Sequence, residues 1–432
     1  MRLGRSLPPA AAPIGAREFI CGIRGILDGQ RELDRFQSEL KEYFGVKHCF
    51  LVSSGKAAFA LILLALKELF PDRDEVLIPA FTCYSVPASI ARAGLRIRLC
   101  DLQSESLDFD FVQLSALLSE KSPPRHEDAH SVAGDAYSPI ALHGVAEGAR
   151  DSKNRILAVV PTHLFGIPAD VPRLRELVQD PGIVVVEDAA QAMGESFEGR
   201  KLGTRGDVSF FSLGRGKALS AVEGGVIITD RNDIAEALDR HIRSLPQYNL
   251  WLLAGLVLKA AGLVLLTHPL LFWLPQSLPF LKLGQTLFEP GFEMLRMSSF
   301  QAGLTVNWNE RLRETHNSRR KNVSRWIAVL QANGNRGPGL RIFPSMGLLR
   351  FPITMHDGEK RQSLLKESAR NGLGITAAYP DSINCLPGLS IPGKTFPVAE
   401  SLARQLVTLP THNYVTAKDV AAIRRLLLHA NS

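Results

Sequence analysis

A lysine and an acidic residue follow two neighbouring apolar runs in the segment 187–230. Asp188 ends the run IVVVED, and Lys217 follows the run VSFFSL in a loop that contains Gly214 and Gly216. A lysine amine forms a Schiff base with an aldehyde, and a carboxylate can hold a pyridine nitrogen in its protonated form. These residue types in this arrangement predict a pyridoxal 5'-phosphate (PLP) site in which Lys217 and Asp188 are catalytic.

Each of these residues also has an ordinary structural explanation. A lone loop lysine is usually solvated, and a carboxylate at the end of a strand can cap the helix that follows. The glycines around Lys217 favour the catalytic interpretation, because they would let a cofactor approach the backbone. Glu187 points to the opposite face of an extended strand, so the role at the ring nitrogen is predicted for Asp188 alone.

A phosphate-binding turn is predicted where a strand ends and a helix begins. Ser54, Gly55, Lys56 and Ala57 occupy this turn, where the free backbone N–H groups of a helix N-terminus can bind a phosphate. Many strand-to-helix turns share this pattern, so the turn alone is weak evidence. Ser212, which precedes the Lys217 loop, would offer its hydroxyl to the same phosphate.

Other side chains could complete such a site. A PLP ring needs a flat or apolar partner, which Tyr84 or Phe81 could provide, and Cys83 less well; all three could equally be packing residues. Gln191 lies one helical turn beyond Asp188 and could bind the phenolic oxygen of the cofactor. His163 either lines the site or is a buried structural histidine.

The elements that would position these residues are seven short runs, mostly of continuous apolar character. Such runs are typical of strands covered on both faces, and helical segments lie between several of them. We therefore predict an α/β fold with a mostly parallel seven-stranded sheet, in which the candidate residues meet at the carboxyl ends of strands. The runs are His48–Ser53, Glu75–Pro79, Leu95–Asp101, Ile156–Thr162, Ile183–Asp188, Val208–Leu213 and Gly225–Thr229.

A chain of 432 residues predicts more than one domain. We predict an N-terminal arm at 1–45 and a large domain at 46–245, with a polar insertion at about 120–153. An apolar insertion at 246–290 and a smaller C-terminal α+β domain at 291–432 follow.

Composition excludes several classes of protein. The five cysteines are scattered without a CxxC pair, which argues against a metal site and against a disulfide framework. The N-terminus lacks the apolar core of a signal peptide, so a cytoplasmic protein is expected. The net charge of +7 suits phosphorylated substrates or an anionic membrane face. Nucleic acid is not an expected partner, because basic runs with interleaved aromatic residues are absent.

Together these motifs resemble the DegT/DnrJ/StrS family of PLP-dependent sugar aminotransferases. The resemblance runs from about Phe36 to the C-terminus, interrupted by the two insertions. The matching stretches include YFGVKHCFLVSSGKAAFAL, VLIPAFTCYSVPASIARAG, VVVEDAAQAMGESFEGRKLGTRGDVSFFSL, GKALSAVEGGVIITD and LRMSSFQAGL.

The resemblance implies the aspartate aminotransferase fold (fold type I), a homodimer, and transfer of an amino group, commonly from glutamate, to a nucleotide-linked keto sugar. Cell-surface polysaccharide or glycoconjugate synthesis is the implied setting. Lys217 would be the Schiff-base lysine and proton shuttle, Asp188 would pair with the ring nitrogen, and Gln191 would lie at the phenolic oxygen. Arg296, in the late Arg-Met motif, is a candidate substrate-site residue.

Three positions depart from the family pattern. Lys56 stands where family members usually have a threonine or similar small residue, and Cys83 stands where they have the ring-stacking aromatic residue. Met294 occupies the position of an asparagine that family members donate to the cofactor phosphate of the partner subunit. Our hypothesis is that the ammonium group of Lys56 replaces that contact.

The apolar segment 247–281 contains a single charged side chain, Lys259, and is longer and less polar than the family's connection at this point. Its prolines make it a poor membrane span and predict two short helices broken at Pro269. Such helices could lie in a bilayer interface and contact the membrane or a lipid-linked partner, which we favour, or form a buried hairpin. A catalytically weak, membrane-associated scaffold is the alternative function.

Overall fold

The computed structural model describes residues 4–120, 155–278, 287–332, 340–387, 389 and 395–431. Residues 121–153 of the predicted polar insertion lie outside this part of the chain. The strands, in chain order, are β1 His48–Val52, β2 Glu75–Pro79, β3 Arg96–Cys100, β4 Ile156–Val159, β5 Val184–Asp188, β6 Ser196–Phe197, β7 Arg200–Lys201, β8 Val208–Ser212, β9 Gly225–Thr229, β10 Arg350–Thr354, β11 Thr376–Ala377 and β12 Leu406–Pro410.

The α-helices account for most of the remaining described residues. They are α1 Ala16–Asp28, α2 Gln30–Phe44, α3 Gly55–Leu69, α4 Ser85–Arg92, α5 Phe111–Ser119, α6 Val171–Leu177, α7 Asn232–Ser244, α8 Leu250–Leu266, α9 Trp273–Gln276, α10 Ser299–Gly303, α11 Trp308–Ala332, α12 Gly358–Asn371, α13 Pro397–Gln405 and α14 Ala417–Asn431.

The large sheet has seven strands in the order β1-β9-β8-β5-β4-β2-β3. Its neighbours pair in parallel except that β9 runs antiparallel to both β1 and β8. The seven apolar runs of the sequence coincide with these seven strands. The prediction of a mostly parallel seven-stranded α/β sheet is therefore confirmed.

The topology brings several chain segments to one edge of this sheet. The residues that follow β1, β2, β5 and β8 all lie at the carboxyl ends of parallel strands, and the antiparallel β9 begins at the same edge. Helix α3 starts directly after β1 and buries nine of its 15 residues, which suits its nearly unbroken apolar sequence. Its first turn is therefore held in place by core packing.

The C-terminal part contains a three-stranded antiparallel sheet in the order β10-β12-β11. The segment before α1 is tied to this part, because Arg5 forms an ion pair with Asp419 at 2.5 Å and the N–H of Leu7 donates to the carbonyl of Gly372. One hydrophobic cluster includes side chains from α3 and from β10 and β12. The domain boundaries given above remain a prediction.

The apolar insertion forms α8 and α9, and the break predicted at Pro269 lies between them. Helix α8 packs against the core through Leu256 and Ala260, which are buried, while Leu250 and Leu258 are more than 70% exposed. Within the described residues, no helix is both long enough and apolar enough to cross a membrane.

Candidate active site

A cavity of about 930 Å³ lies at the carboxyl edge of the large sheet. Most of the residues that the sequence predicted for a cofactor site line it. These are Ser54, Gly55, Lys56, Asp188, Gln191, Ser212 and Lys217. The convergence follows from the topology, because these residues follow β1, β5 and β8.

The turn into α3 has the geometry of an anion site. The Oγ of Ser54 caps the helix by accepting a hydrogen bond from the N–H of Ala57 at 3.1 Å. Ala57, which was predicted as part of the cofactor site, is fully buried and does not line the cavity. The N–H groups of Gly55 and Lys56 precede the first hydrogen bond within the helix and find no acceptor among the described residues. Two free N–H groups at a helix N-terminus suit a phosphate.

Ser212 lies directly against this turn. A Cβ added to Gly55 would be 2.8 Å from the Cβ of Ser212 and 3.0 Å from its Oγ, so only glycine fits. The Ser212 hydroxyl accepts one long hydrogen bond, from the N–H of Gly214 at 3.3 Å, and remains able to donate to a phosphate oxygen. The Lys56 ammonium lies 4.9 Å from the centre of the Phe292 ring, a cation–π distance.

Lys217 lies in the same cavity with a perturbed amine. Burial lowers the pKa of Lys217, and the nearby Arg350 guanidinium lowers it further, while Cys83 and Asp188 act in the opposite direction. A lowered pKa leaves more of the amine neutral, which is the nucleophilic form. The surroundings of Lys217 therefore suit a Schiff-base lysine.

Asp188 is buried at the end of β5. Burial raises the pKa of Asp188, although the N–H of Ala190, which donates to Oδ1 at 3.0 Å, and the charge of Lys217 partly oppose this effect. A buried carboxylate with so little compensation is stabilised by a nearby cation. A protonated pyridine nitrogen would be such a cation, so the residues present fit PLP.

His163 lies behind the cavity and does not line it. Its Nε2 donates to the carboxylate of Glu187 at 2.8 Å, and its Nδ1 accepts from the N–H of Ala169 at 3.0 Å. Both residues of the His163–Glu187 pair are fully buried. Of the two explanations open for His163, the structure supports a buried structural histidine, because both ring nitrogens are occupied.

Glu187 faces away from Asp188, as strand alternation predicts. Besides His163 it accepts hydrogen bonds from the N–H groups of Gly203, Arg205 and Gly206. Burial alone raises the pKa of Glu187, but these hydrogen bonds outweigh it and bring the pKa below its usual value. Glu187 thus fixes the turn between β7 and β8.

The ring-face prediction needs a correction. Tyr84 does not line the cavity, because its hydroxyl accepts from the N–H of Asp381 at 2.8 Å and donates to the carbonyl of the same residue at 3.0 Å. Cys83 lines the cavity instead, together with Ser85. The described residues thus present a thiol, rather than an aromatic ring, where a stacking side chain was expected.

Gln191 is positioned by the C-terminal part of the chain. Its side-chain amide donates to the hydroxyl of Tyr379 at 3.1 Å, and Tyr379 is buried with a raised pKa caused chiefly by that burial. The C-terminal part thus acts on the site through Gln191, while the described residues that line the cavity itself all precede Arg296 in the sequence.

Arg296 also departs from its predicted place. Its guanidinium donates to the carbonyl groups of Ile242 and Arg243 in the last turn of α7, and it does not line the cavity. A cation at a helix C-terminus satisfies free carbonyls and the helix dipole. The structure therefore gives Arg296 a structural position instead of a substrate contact.

Sequence reasoning missed two contributors to the site. Arg319 lies in the arginine-rich helix α11, whose charges suggest a solvated face, yet it is buried and donates to the carbonyl of Lys217 at 3.2 Å. Helix α8 supplies part of the cavity wall, including Trp251 and Lys259. Among the described residues, no cluster of three or more His, Cys, Asp or Glu side chains could hold a metal ion.

Comparison with known proteins agrees with this geometry. The model of the DegT/DnrJ/EryC1/StrS aminotransferase family matches residues 24–427. A GDP-perosamine synthase of Caulobacter vibrioides is 23% identical over 395 residues, which cover 90% of this chain and 87% of that protein. A GDP-perosamine synthase of Vibrio cholerae is 28% identical over 204 residues, which cover 47% of this chain and only 46% of that protein.

A solved structure of similar fold is the PMP-form of the putative sugar aminotransferase Spr1654 from Streptococcus pneumoniae. It superposes with a TM-score of 0.70 at 17% sequence identity, covering 98% of this chain and 97% of that one. This likeness confirms the predicted aminotransferase fold. The chain belongs to the DegT/DnrJ/EryC1/StrS aminotransferase family and is a PLP-dependent aminotransferase.

Proposed function

We propose that this enzyme transfers an amino group from glutamate to a keto sugar attached to a nucleotide, in the synthesis of cell-surface polysaccharide or glycoconjugate. The observation that carries the proposal is the meeting of Lys217, Asp188 and the α3 turn in one cavity. Relatives named as GDP-perosamine synthase and as a dTDP-amino-sugar transaminase support a nucleotide-linked amino sugar as the product class.

The positions of these residues support the following roles. Bound PLP supplies an electron sink for the amino-group transfer. Asp188 would hold its ring nitrogen protonated, and the neutral amine of Lys217 would bind the cofactor and move protons at the substrate carbon. The N–H groups of Gly55 and Lys56 would hold the phosphate.

Three further side chains complete the proposed cofactor site. The Ser212 hydroxyl would add a hydrogen bond to the phosphate, and the Lys56 ammonium would add charge. These groups would compensate for the asparagine of the family pattern, whose position Met294 occupies in this chain. Gln191, oriented by Tyr379, would bind the phenolic oxygen. Cys83, which lines the cavity, would lie against the ring face.

The experiment is to incubate PLP-loaded enzyme with glutamate and then with a panel of GDP-, UDP- and dTDP-linked keto sugars. Glutamate should discharge the visible absorbance of the bound cofactor, and one sugar should restore it while an amino sugar appears by mass spectrometry. Lys217→Ala should abolish both changes, whereas Lys366→Ala, at an exposed lysine, should not. Loss of absorbance with other amino acids but not with glutamate would contradict the proposed donor.

We also propose a homodimer that works in the cytoplasm and contacts the inner face of an anionic membrane peripherally. Helix α1 touches α8 and exposes Ile23 and Leu27 beside Arg24, and α8 exposes Leu265. Apolar side chains next to a basic one, on a protein of net charge +7, suit an anionic bilayer interface.

Sedimentation with vesicles of anionic and of neutral phospholipid tests the membrane proposal. Binding should need the anionic lipid and should fall in a Leu27→Glu, Leu265→Glu variant that remains a dimer by light scattering. A monomeric variant that still sediments would show instead that this surface is the subunit interface.

A further inference from the structure

Helix α8 of the apolar insertion forms one wall of the cavity that contains Lys217. Its lining residues are Trp251, Leu252, Gly255, Leu256 and Lys259. Residues four apart lie one above another on a helix, so Trp251, Gly255 and Lys259 form a single stripe along this wall. The insertion therefore contributes directly to the site, beyond enlarging the outer surface.

At the Trp251 end of the stripe, an exposed aromatic ring is followed by open space at Gly255. Trp251 is 87% exposed although it lines the cavity, so most of its ring lacks a partner among the described residues. One turn further, no atom of the described part of the chain lies within 4 Å of a Cβ added to Gly255. Glycine is unfavourable inside a helix, and core packing does not require glycine at position 255. The open space that Gly255 leaves beside Trp251 therefore needs an explanation other than core packing.

At the other end of the stripe, Lys259 carries a positive charge. The Lys259 ammonium pairs with the carboxylate of Glu223 at 2.8 Å, and both side chains remain substantially exposed to the cavity. Glu223 lies in the loop between β8 and β9 that also carries Lys217, so Lys259 pairs with this loop, and both lysines line the same cavity. Lys56 and Arg215 line the same cavity, as do the acidic side chains of Glu289 and Glu293, so a diphosphate at Lys259 would also have two further cations within the lining.

The two ends of the stripe are separated by eight residues, which is about 12 Å along the helix axis. We propose that this face of α8 binds the nucleoside diphosphate of the acceptor, with the base stacked on Trp251, the ribose over Gly255 and the diphosphate at Lys259. The sugar then extends toward Lys217. This inference rests on the nucleotide-linked substrate of the proposed function and assigns its recognition to the insertion.

Stacking on an aromatic ring tolerates every base, because each base has a π-face. The α8 wall therefore provides affinity for nucleoside diphosphates in general and does not select one base. Lys259 exchanges one carboxylate partner for a diphosphate of higher charge, which favours the bound state.

The test is to titrate GDP, UDP and dTDP separately into the PLP-loaded enzyme and to measure binding by calorimetry. For each nucleotide that binds the wild type, Trp251→Ala should lower the affinity by about tenfold or more, and Trp251→Phe should retain most of the affinity. Gly255→Leu should weaken binding by filling the gap. Lys259→Ala should weaken binding and reduce its salt dependence, whereas Lys259→Arg should preserve both.

Leu258→Ala is the matched control, because this side chain is 75% exposed on the same helix but does not line the cavity. It should bind nucleotides like the wild type. It should also keep the visible absorbance of the bound cofactor and its discharge by glutamate. The same absorbance, measured for every variant, reports whether the fold and the cofactor site are intact.

The outcomes separate this inference from the proposed function. Wild-type binding of a nucleoside diphosphate that the Trp251, Gly255 and Lys259 variants leave unchanged would overturn the α8 inference alone. If the wild type bound none of the three nucleotides, the nucleotide-linked substrate would fail as well, while discharge by glutamate would still establish the aminotransferase. Vesicle binding that depends on Trp251, together with unchanged nucleotide binding, would identify a membrane anchor and overturn the inference.

Discussion

The close approach of Gly55 to Ser212 predicts that Gly55→Ala weakens PLP binding strongly. The added Cβ would lie 2.8 Å from the Cβ of Ser212, where two carbon atoms normally keep about 3.5 Å or more. About 0.7 Å must therefore be relieved by moving either Ser212 or the first turn of α3. Either movement separates the Ser212 hydroxyl from the N–H groups that would share a phosphate with it.

The expected loss of PLP affinity follows from the hydrogen bond of Ser212 that is displaced. A hydrogen bond to a charged group contributes about 1.5–3 kcal/mol, so losing the one from Ser212 should weaken PLP binding by about 10- to 100-fold. Overpacking costs about 1–3 kcal/mol in the folded protein. Replacing glycine at the start of a helix offsets part of this cost, because alanine has less freedom in the unfolded chain.

Equilibrium titration of the apoenzyme with PLP, followed by visible absorbance, measures the affinity, and thermal unfolding of the apoenzyme measures the stability. Gly262→Ala is the control, because it lies in helix α8 with nothing within 4 Å of an added Cβ. It should bind PLP like the wild type and gain up to about 1 kcal/mol of stability. Wild-type PLP affinity in Gly55→Ala would refute the proposed convergence of Gly55 and Ser212 on one phosphate.

Three further predictions concern buried basic side chains. Burial, followed by Arg350, lowers the pKa of Lys217, so Arg350→Met should raise this pKa and shift the pH profile of PLP capture to higher pH, measured by stopped-flow absorbance. Burial lowers the pKa of His412 to about 4, and its Nε2 donates to the carbonyl of Pro8. The unfolded chain therefore binds more protons than the folded one between pH 6.5 and 4, so stability should fall by about 3 kcal/mol as the pH is lowered through this range. His412→Gln should flatten this dependence in unfolding experiments, and an unchanged slope would contradict the assignment. Arg319→Met removes hydrogen bonds that include the one to the Lys217 carbonyl, and should weaken PLP binding and lower the melting temperature, whereas Arg319→Lys should restore part of both.

The sheet and the central residues of the site could be predicted because their signals are local. Continuous apolar runs such as the one that ends at Asp188 identify buried parallel strands, and glycines mark the turns that carry Gly55 and Lys217. Once the strands are parallel, their carboxyl ends meet at one edge, so convergence follows without further information.

The corrections arise where position depends on partners distant in the sequence. Tyr84 is directed away from the cavity by Asp381, which is 297 residues further along the chain, and Arg319 is buried against the N-terminal segment 308 residues away. A local motif does not show whether an arginine meets solvent or a carbonyl group. For the same reason the apolar pattern of α8 predicted a helix but not its place beside Lys217.

The position of Lys217 as the residue that binds the cofactor is the central claim, and reduction with borohydride tests it most directly. The PLP-loaded enzyme should lose its visible absorbance, and peptide mass spectrometry should find the reduced pyridoxyl group on Lys217. The same treatment of Lys217→Ala should leave the protein unlabelled. A pyridoxyl group on another lysine of the wild type, or none at all, would contradict the account.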